Sequence, residues 1–108
     1  RTITERGMNA LESARNDLET LLNEDPKSIY DYGLSFDPIT DDEGSVRYFC
    51  YLLSTGGPGT QIRFYPHRIE FVYLGRFCGV GFDVSSDRVF QRLREWFSES
   101  GLLNFERR

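Results

Sequence analysis

Few side chains in this 108-residue chain are chemically capable. His67 is its single histidine, and Cys50 and Cys78 are its two cysteines. Zinc asks for about four ligands at recognisable spacings, and these three residues supply neither the number nor the pattern. A Cys–His nucleophile pair is the other use for them, with the imidazole drawing off the thiol proton. Cys50 stands in the most apolar stretch and reads as an inert core thiol, while Cys78, between Phe77 and Gly79, reads as the more accessible one. No nucleophile-elbow or oxyanion-hole pattern accompanies either, so no catalytic residue is assigned. Asp37, Asp41, Asp42 and Glu43 place four carboxylates in a short loop. Hard cations take oxygen ligands, but this spacing lacks the alternation and closing Glu of a calcium loop. The expectation is a solvated acidic contact surface with no metal and no cofactor. Gly56-Gly57-Pro58-Gly59-Thr60 lacks the Lys and the following helix of a phosphate loop, and reads as a mobile hairpin loop.

The more ordered signal is electrostatic. Glu5, Asn9, Glu12, Asn16, Glu19 and Asn23 alternate spacings of four and three, which makes one continuous stripe on a helix. At 1.5 Å rise per residue its glutamates recur about 10 Å apart. Such a row imitates a line of phosphates or receives an Arg-rich partner surface. The plainer account is the solvated face of an amphipathic helix, with Arg6 and Arg15 diluting its field. Tyr30, Tyr32, Tyr48, Tyr51, Tyr65 and Tyr73, with Arg47, Arg63, Arg68 and Arg76, describe an aromatic and Arg-rich sheet face. That composition suits a binding hot spot or a stacking platform for single-stranded nucleic acid. Tyrosines also cap core edges with their hydroxyls in water. Strand alternation puts Arg63 and Tyr65 on one face, opposite Ile62 and Phe64.

The elements that must position these residues follow from periodicity. Thr2-Ile3-Thr4-Glu5 fits a capping box, and Met8, Leu11, Ala14, Leu18, Leu21 and Leu22 form an apolar helical stripe. Gly7 weakens the first turn, and Asp25-Pro26 ends the helix. Tyr30 to Phe36 alternates as a half-buried strand, Asp37-Pro38 and Asp41 to Gly44 make turns, and Val46 to Leu53 is apolar on both faces. Thr60 to Tyr65 and Arg68 to Leu74 alternate again, Pro66-His67 links them, and glycines surround a short fifth strand over Val80–Val84. Ser85 or Ser86 caps a last helix, with Asp87 in its first turn and Gly101 as its left-handed cap. Leu102, Leu103 and Phe105 pack back as a tail. The chain therefore predicts one α+β domain over 1–108: an N-terminal helix, an antiparallel meander of four to five strands, and a C-terminal helix. Both helices, each with one apolar face, cover the same side of the sheet.

Composition bounds the function. Apolar residues are 39% and aromatics 15%, enough for a real core. Net charge is −4, which argues against a broad basic grip on nucleic acid. The first 54 residues hold 5 basic and 11 acidic side chains, and the second half 8 and 6, so the acid is concentrated early. Lys27 is the single lysine among 13 basic residues. Arg suits contact surfaces, though a coding bias explains the same choice. No run reaches membrane-span length, and two cysteines make no disulfide framework, so a reducing cytoplasm is expected.

Three stretches carry a family resemblance: Tyr32-Gly33-Leu34-Ser35-Phe36-Asp37, Gly57-Pro58 through Arg63-Phe64-Tyr65, and Arg68-Ile69-Glu70-Phe71. They resemble small acidic α+β proteins of plasmids, phages and integrated elements, over about the middle half of the chain. The resemblance implies an anti-defence protein of the anti-CRISPR or anti-restriction type, which acts without chemistry by occupying a surface of a larger complex. A charge of −4 departs from strong DNA mimics, which are far more acidic, and so favours a local acidic patch.

The function expected is thus a non-enzymatic inhibitor of a bacterial defence complex. Its contact residues would be Glu5, Glu12, Glu19, Asp37, Asp41, Asp42, Glu43, Arg63 and Tyr65. The partner would be a nucleic-acid-binding protein subunit, with no direct nucleic acid and no membrane; a homodimer is permitted. Alternatives are an immunity or antitoxin protein plugging a basic toxin, a small enzyme using Cys78 or His67, and a single-strand binder using the Arg/Tyr face.

Overall fold

The first helix, α1 (Ile3–Glu24), opens on the expected capping box: the Glu5 amide donates to Thr2 Oγ1 at 3.1 Å, and the Thr2 amide donates to Glu5 Oε1 at 3.0 Å. A computed structural model describes residues 2–106. Gly7, Ala14, Leu18 and Leu22 form the buried stripe, while Met8 is 57% exposed and falls outside it. Gly7 replaces it because α1 approaches the sheet there: a Cβ on Gly7 would lie 2.8 Å from Val80 Cγ1 and 2.9 Å from Phe82 Cε2. Asp25-Pro26 stops the helix as expected.

The stretch read as a first strand over Tyr30–Phe36 folds otherwise. A 3-10 turn (Pro26–Ser28) leads into a one-turn helix, α2 (Ile29–Tyr32), and the strand β1 begins only at Ser35 and runs to Thr40. Tertiary contacts outweigh the alternation. Ile29 is fully buried, and its carbonyl accepts the hydroxyl of Tyr51 in the core. Tyr32 donates its hydroxyl to Asp17 Oδ2 on α1 at 2.9 Å, and burial together with that carboxylate pushes the phenol up to about 12. Asp37-Pro38, expected in a turn, lies inside β1. Proline is tolerated there because β1 is an edge strand, with one side unpaired.

Beyond β1 come β2 (Val46–Ser54), β3 (Gly59–Phe64), β4 (Ile69–Leu74) and β5 (Gly79–Asp83), all antiparallel in sequential order. The last helix, α3 (Arg88–Glu99), is capped by Asp87 rather than Ser85 or Ser86; its carboxylate accepts the amides of Val89 and Phe90. Ser85 is held elsewhere, accepting the Ile69 amide. Gly101, at φ 85°, closes α3, with the Leu102 amide on the Phe97 carbonyl and the Gly101 amide on that of Ser98. The tail returns to the core: Leu103 is buried, and Phe105 sets its edge on Phe49 at 5.1 Å.

One cluster unites the buried residues of α1, α3 and one sheet face, which presents Phe36, Phe49, Tyr51, Ile62, Phe64 and Phe71. Phe97 stacks on Phe36 at 4.0 Å and sets its edge to Tyr51 at 4.9 Å. Both helices therefore share that face, as the two apolar stripes predict, and the opposite face carries no helix among the described residues.

Candidate functional site

Strand register assigns the residues of the bare face. Asp37, Cys50, Arg63, Glu70 and Asp83 stand directly opposite one another, one from each strand, in a single row across the sheet. Alternation then places Tyr48 beside this row on β2, with Tyr65 just beyond the end of β3. The two rings pack at 4.9 Å with planes tilted by 41°. The Arg63 guanidinium sits 5.0 Å above Tyr48, and that of Arg68 sits 3.8 Å above Tyr65. Arg63 is held further by Nε donating to Gln61 Oε1 at 2.7 Å. The Tyr65 backbone is fixed from beneath, since its carbonyl accepts Arg94 Nη1 of α3 at 2.6 Å. The result is an ordered patch of two tyrosines and two arginines with carboxylates in the adjoining row.

This patch contains three of the nine residues predicted from sequence: Asp37, Arg63 and Tyr65. The others lie elsewhere. Glu12 and Glu19 sit on α1, in the layer that covers the other face. Glu5 is on the same helix and is occupied by the capping box. Glu19 lies 3.8 Å from Arg15, which also donates to Asp87 at 2.8 Å. Asp41, Asp42 and Glu43 form the β1–β2 hairpin tip. There Asp41 shapes the turn, its Oδ1 accepting the amides of Glu43 and Ser45. Asp42 and Glu43 remain exposed.

The tyrosine pattern also divides. Tyr48 and Tyr65 are on the bare face, but Tyr51 and Tyr73 are buried on the helix side, and Tyr30 and Tyr32 belong to α2. Arg76 stacks on Phe77 in the β4–β5 turn. Cys50, expected in the core, is half-buried on the bare face between Asp37 and Arg63. Burial pushes its thiol up; Arg63 offsets part of that, and Asp37 adds to it. His67 lies in the β3–β4 turn and Cys78 in the β4–β5 turn, at opposite ends of β4. A six-residue strand spans about 20 Å, so the two do not form a pair. Among the described residues no three His, Cys, Asp or Glu side chains gather as metal ligands, and no helix is long and apolar enough to cross a membrane.

Strand alternation places Arg63 and Tyr65 on one face, whereas Val46 to Leu53, apolar on both faces, gives no side to Tyr48. Which four of the ten Tyr and Arg candidates would meet was not legible either, because that depends on register. Comparison with known proteins returned no match to a family model, a curated protein or a solved structure.

Proposed function

We propose that this chain is a non-enzymatic, protein-binding inhibitor carried by a mobile element and directed at a nucleic-acid-handling subunit of a bacterial defence complex. The observation that carries the binding reading is the bare sheet face, where Tyr48, Tyr65, Arg63 and Arg68 are stacked in advance of any partner. Aromatic and Arg side chains dominate binding energy, and ordering them beforehand removes an entropic cost of association. The carboxylates of Asp37, Glu70 and Asp83 lie in the adjoining row and complement the Lys and Arg of a subunit that grips phosphates. The resemblance of the 32–37, 57–65 and 68–71 stretches to small proteins of mobile elements supports the choice of a defence complex.

The test is capture of a purified effector complex by the tagged chain, together with inhibition of its cleavage activity. Tyr65→Ala and Arg63→Ala should each weaken binding by about tenfold or more while leaving the circular dichroism unchanged. Glu12→Lys and Glu19→Lys, on the far side of the molecule, should alter only the salt dependence. The opposite pattern would place the partner on α1 and sink the sheet-face reading. Capture of a dedicated toxin in place of an effector would replace the inhibitor with an antitoxin.

A further inference from the structure

The two edges of the sheet are not equivalent. The β1 edge is blunted by Pro38, which has no N–H, and by a register shift between Ile39 and Thr40. The β5 edge has no proline, no lysine and no bulge. Its hydrogen-bond phase is fixed at both ends, by the Gly75 amide on the Cys78 carbonyl and the Val84 amide on the Ile69 carbonyl. Antiparallel pairing alternates, so Val80 and Phe82 bond to β4, while Gly79, Gly81 and Asp83 turn their N–H and C=O groups outward. Those three residues are also the exposed ones.

The two flanks of this edge differ in chemistry. On the bare face Gly81 has no side chain, and the Glu70 carboxylate leans into the space its Cβ would occupy. Glu70 makes no ion pair within 4.0 Å among the described residues, although Arg63 stands beside it in register. Asp83 lies on the same flank, its carboxyl held below the usual range by bonds from Ser85. This flank is acidic beside Gly81 and Asp83, with Arg68 near Asp83 and the exposed Leu74 against Gly79. On the helix side the edge shows half-buried Val80 and Phe82, and α1 crosses them at Gly7, next to the exposed Met8. That flank is apolar.

We propose that the β5 edge is a docking site for an extended segment of a partner protein that alternates basic and apolar residues and adds as a sixth, antiparallel strand. The residues bonded to Gly81 and Asp83 carry Lys or Arg towards Glu70 and Asp83, and the aliphatic stem of the one bonded to Gly79 lies along Leu74. Those between them carry apolar side chains towards Val80, Phe82 and Met8. A second copy fits less well, because pairing Gly81 with its own equivalent brings two Glu70 carboxylates together.

The probe is a capped synthetic peptide alternating Arg and Val, titrated into the intact chain while backbone amide exchange is read by NMR. Binding should protect the amides of Gly79, Gly81 and Asp83. N-methylation of the Arg positions should weaken binding by about tenfold per site, whereas methylation of the Val positions should leave it unchanged. Glu70→Gln should weaken it by about two- to fivefold with the fold retained. The proposal falls if those three amides stay unprotected, if an alternating Glu–Val peptide binds equally, or if both methylation patterns act alike. It also falls if the amides become protected with protein concentration alone, which would mean a second copy. Because the readout is confined to the edge amides, a peptide that instead perturbs Tyr48 and Tyr65 counts against the edge and leaves the sheet-face reading standing.

Discussion

Asp87 joins the two helices through one carboxylate. Its Oδ1 accepts the Val89 amide at 2.8 Å, and its Oδ2 accepts Arg15 Nε at 2.8 Å. Burial raises its pKa, but the bonds from Arg15, Phe90 and Val89 outweigh burial and hold the carboxyl below the ordinary Asp value. The folded state therefore binds the proton more weakly than the unfolded chain. The resulting stability is present above the unfolded pKa of about 4 and is lost as pH falls below it towards the folded value. Asn caps a helix as well as Asp but does not titrate. Asp87→Asn should cost less than about 1 kcal/mol at pH 7 and flatten the decline in stability between about pH 5 and pH 3. Urea melts across that range check it, and an unchanged slope would show that Asp87 is not the group responsible. Residue roles of this kind were partly legible. The spacing Thr2–Glu5 announced a cap, yet the same Glu5 also completed an acidic stripe, and the backbone has the first claim on it. Asp41 is a similar case: four carboxylates in a loop look alike in sequence, but only one closes the turn.

At the level of elements, Gly7 separates helix propensity from packing. Replacing a glycine inside a helix by alanine ordinarily gains up to about 1 kcal/mol. Here the added methyl meets Val80 and Phe82 at under 3.0 Å, and both belong to the strand that α1 crosses. Gly7→Ala should therefore destabilise the protein by about 1–3 kcal/mol, the range of an overpacked contact. A rise in Tm would mean that α1 can shift along β5. The same contact explains what the sequence could and could not reveal about α1. Its boundaries came from a capping box and a proline, both local, and they were right. Its buried face was displaced from Met8 to Gly7 because a close approach selects for the absence of a side chain, which hydrophobic periodicity does not count. The stretch 30–36 failed for a related reason. Alternation there was genuine, but Ile29 and Tyr32 are claimed by the distant partners Tyr51 and Asp17, and a one-turn helix satisfies both. Strands β3 and β4 were legible because their alternation coincides with the partition between an aromatic core and a bare face; β2, apolar on both faces, was legible as a strand but not in which face Cys50 takes.

Across the whole molecule, that partition couples stability to the proposed surface. Phe97 of α3 touches Phe36 of β1, Tyr51 of β2 and Phe64 of β3, so one ring ties three strands to the helix layer. Phe64 lies between Arg63 and Tyr65 in the chain, and on β2 Phe49 lies between Tyr48 and Cys50. Each core ring thus fixes the backbone from which the opposite face projects its aromatic and Arg side chains, and Arg94 of α3 anchors the Tyr65 and Pro66 carbonyls directly. A surface supported in this way stays ordered for as long as the core is intact. Phe97→Ala should cost about 3–5 kcal/mol, because its neighbours come from three separate strands and cannot collapse together into the space. Trp96, the sole tryptophan, sets its ring edge on Phe97 at 5.1 Å and so reports on this junction, while far-UV circular dichroism reports on helices and sheet together. In the native chain the two signals should unfold at one denaturant concentration, and in Phe97→Ala both should move by the same amount. A fluorescence transition that precedes the loss of ellipticity would show that the aromatic junction loosens on its own. The bare face would then be ordered by its own Tyr–Arg stacking instead of by the core behind it.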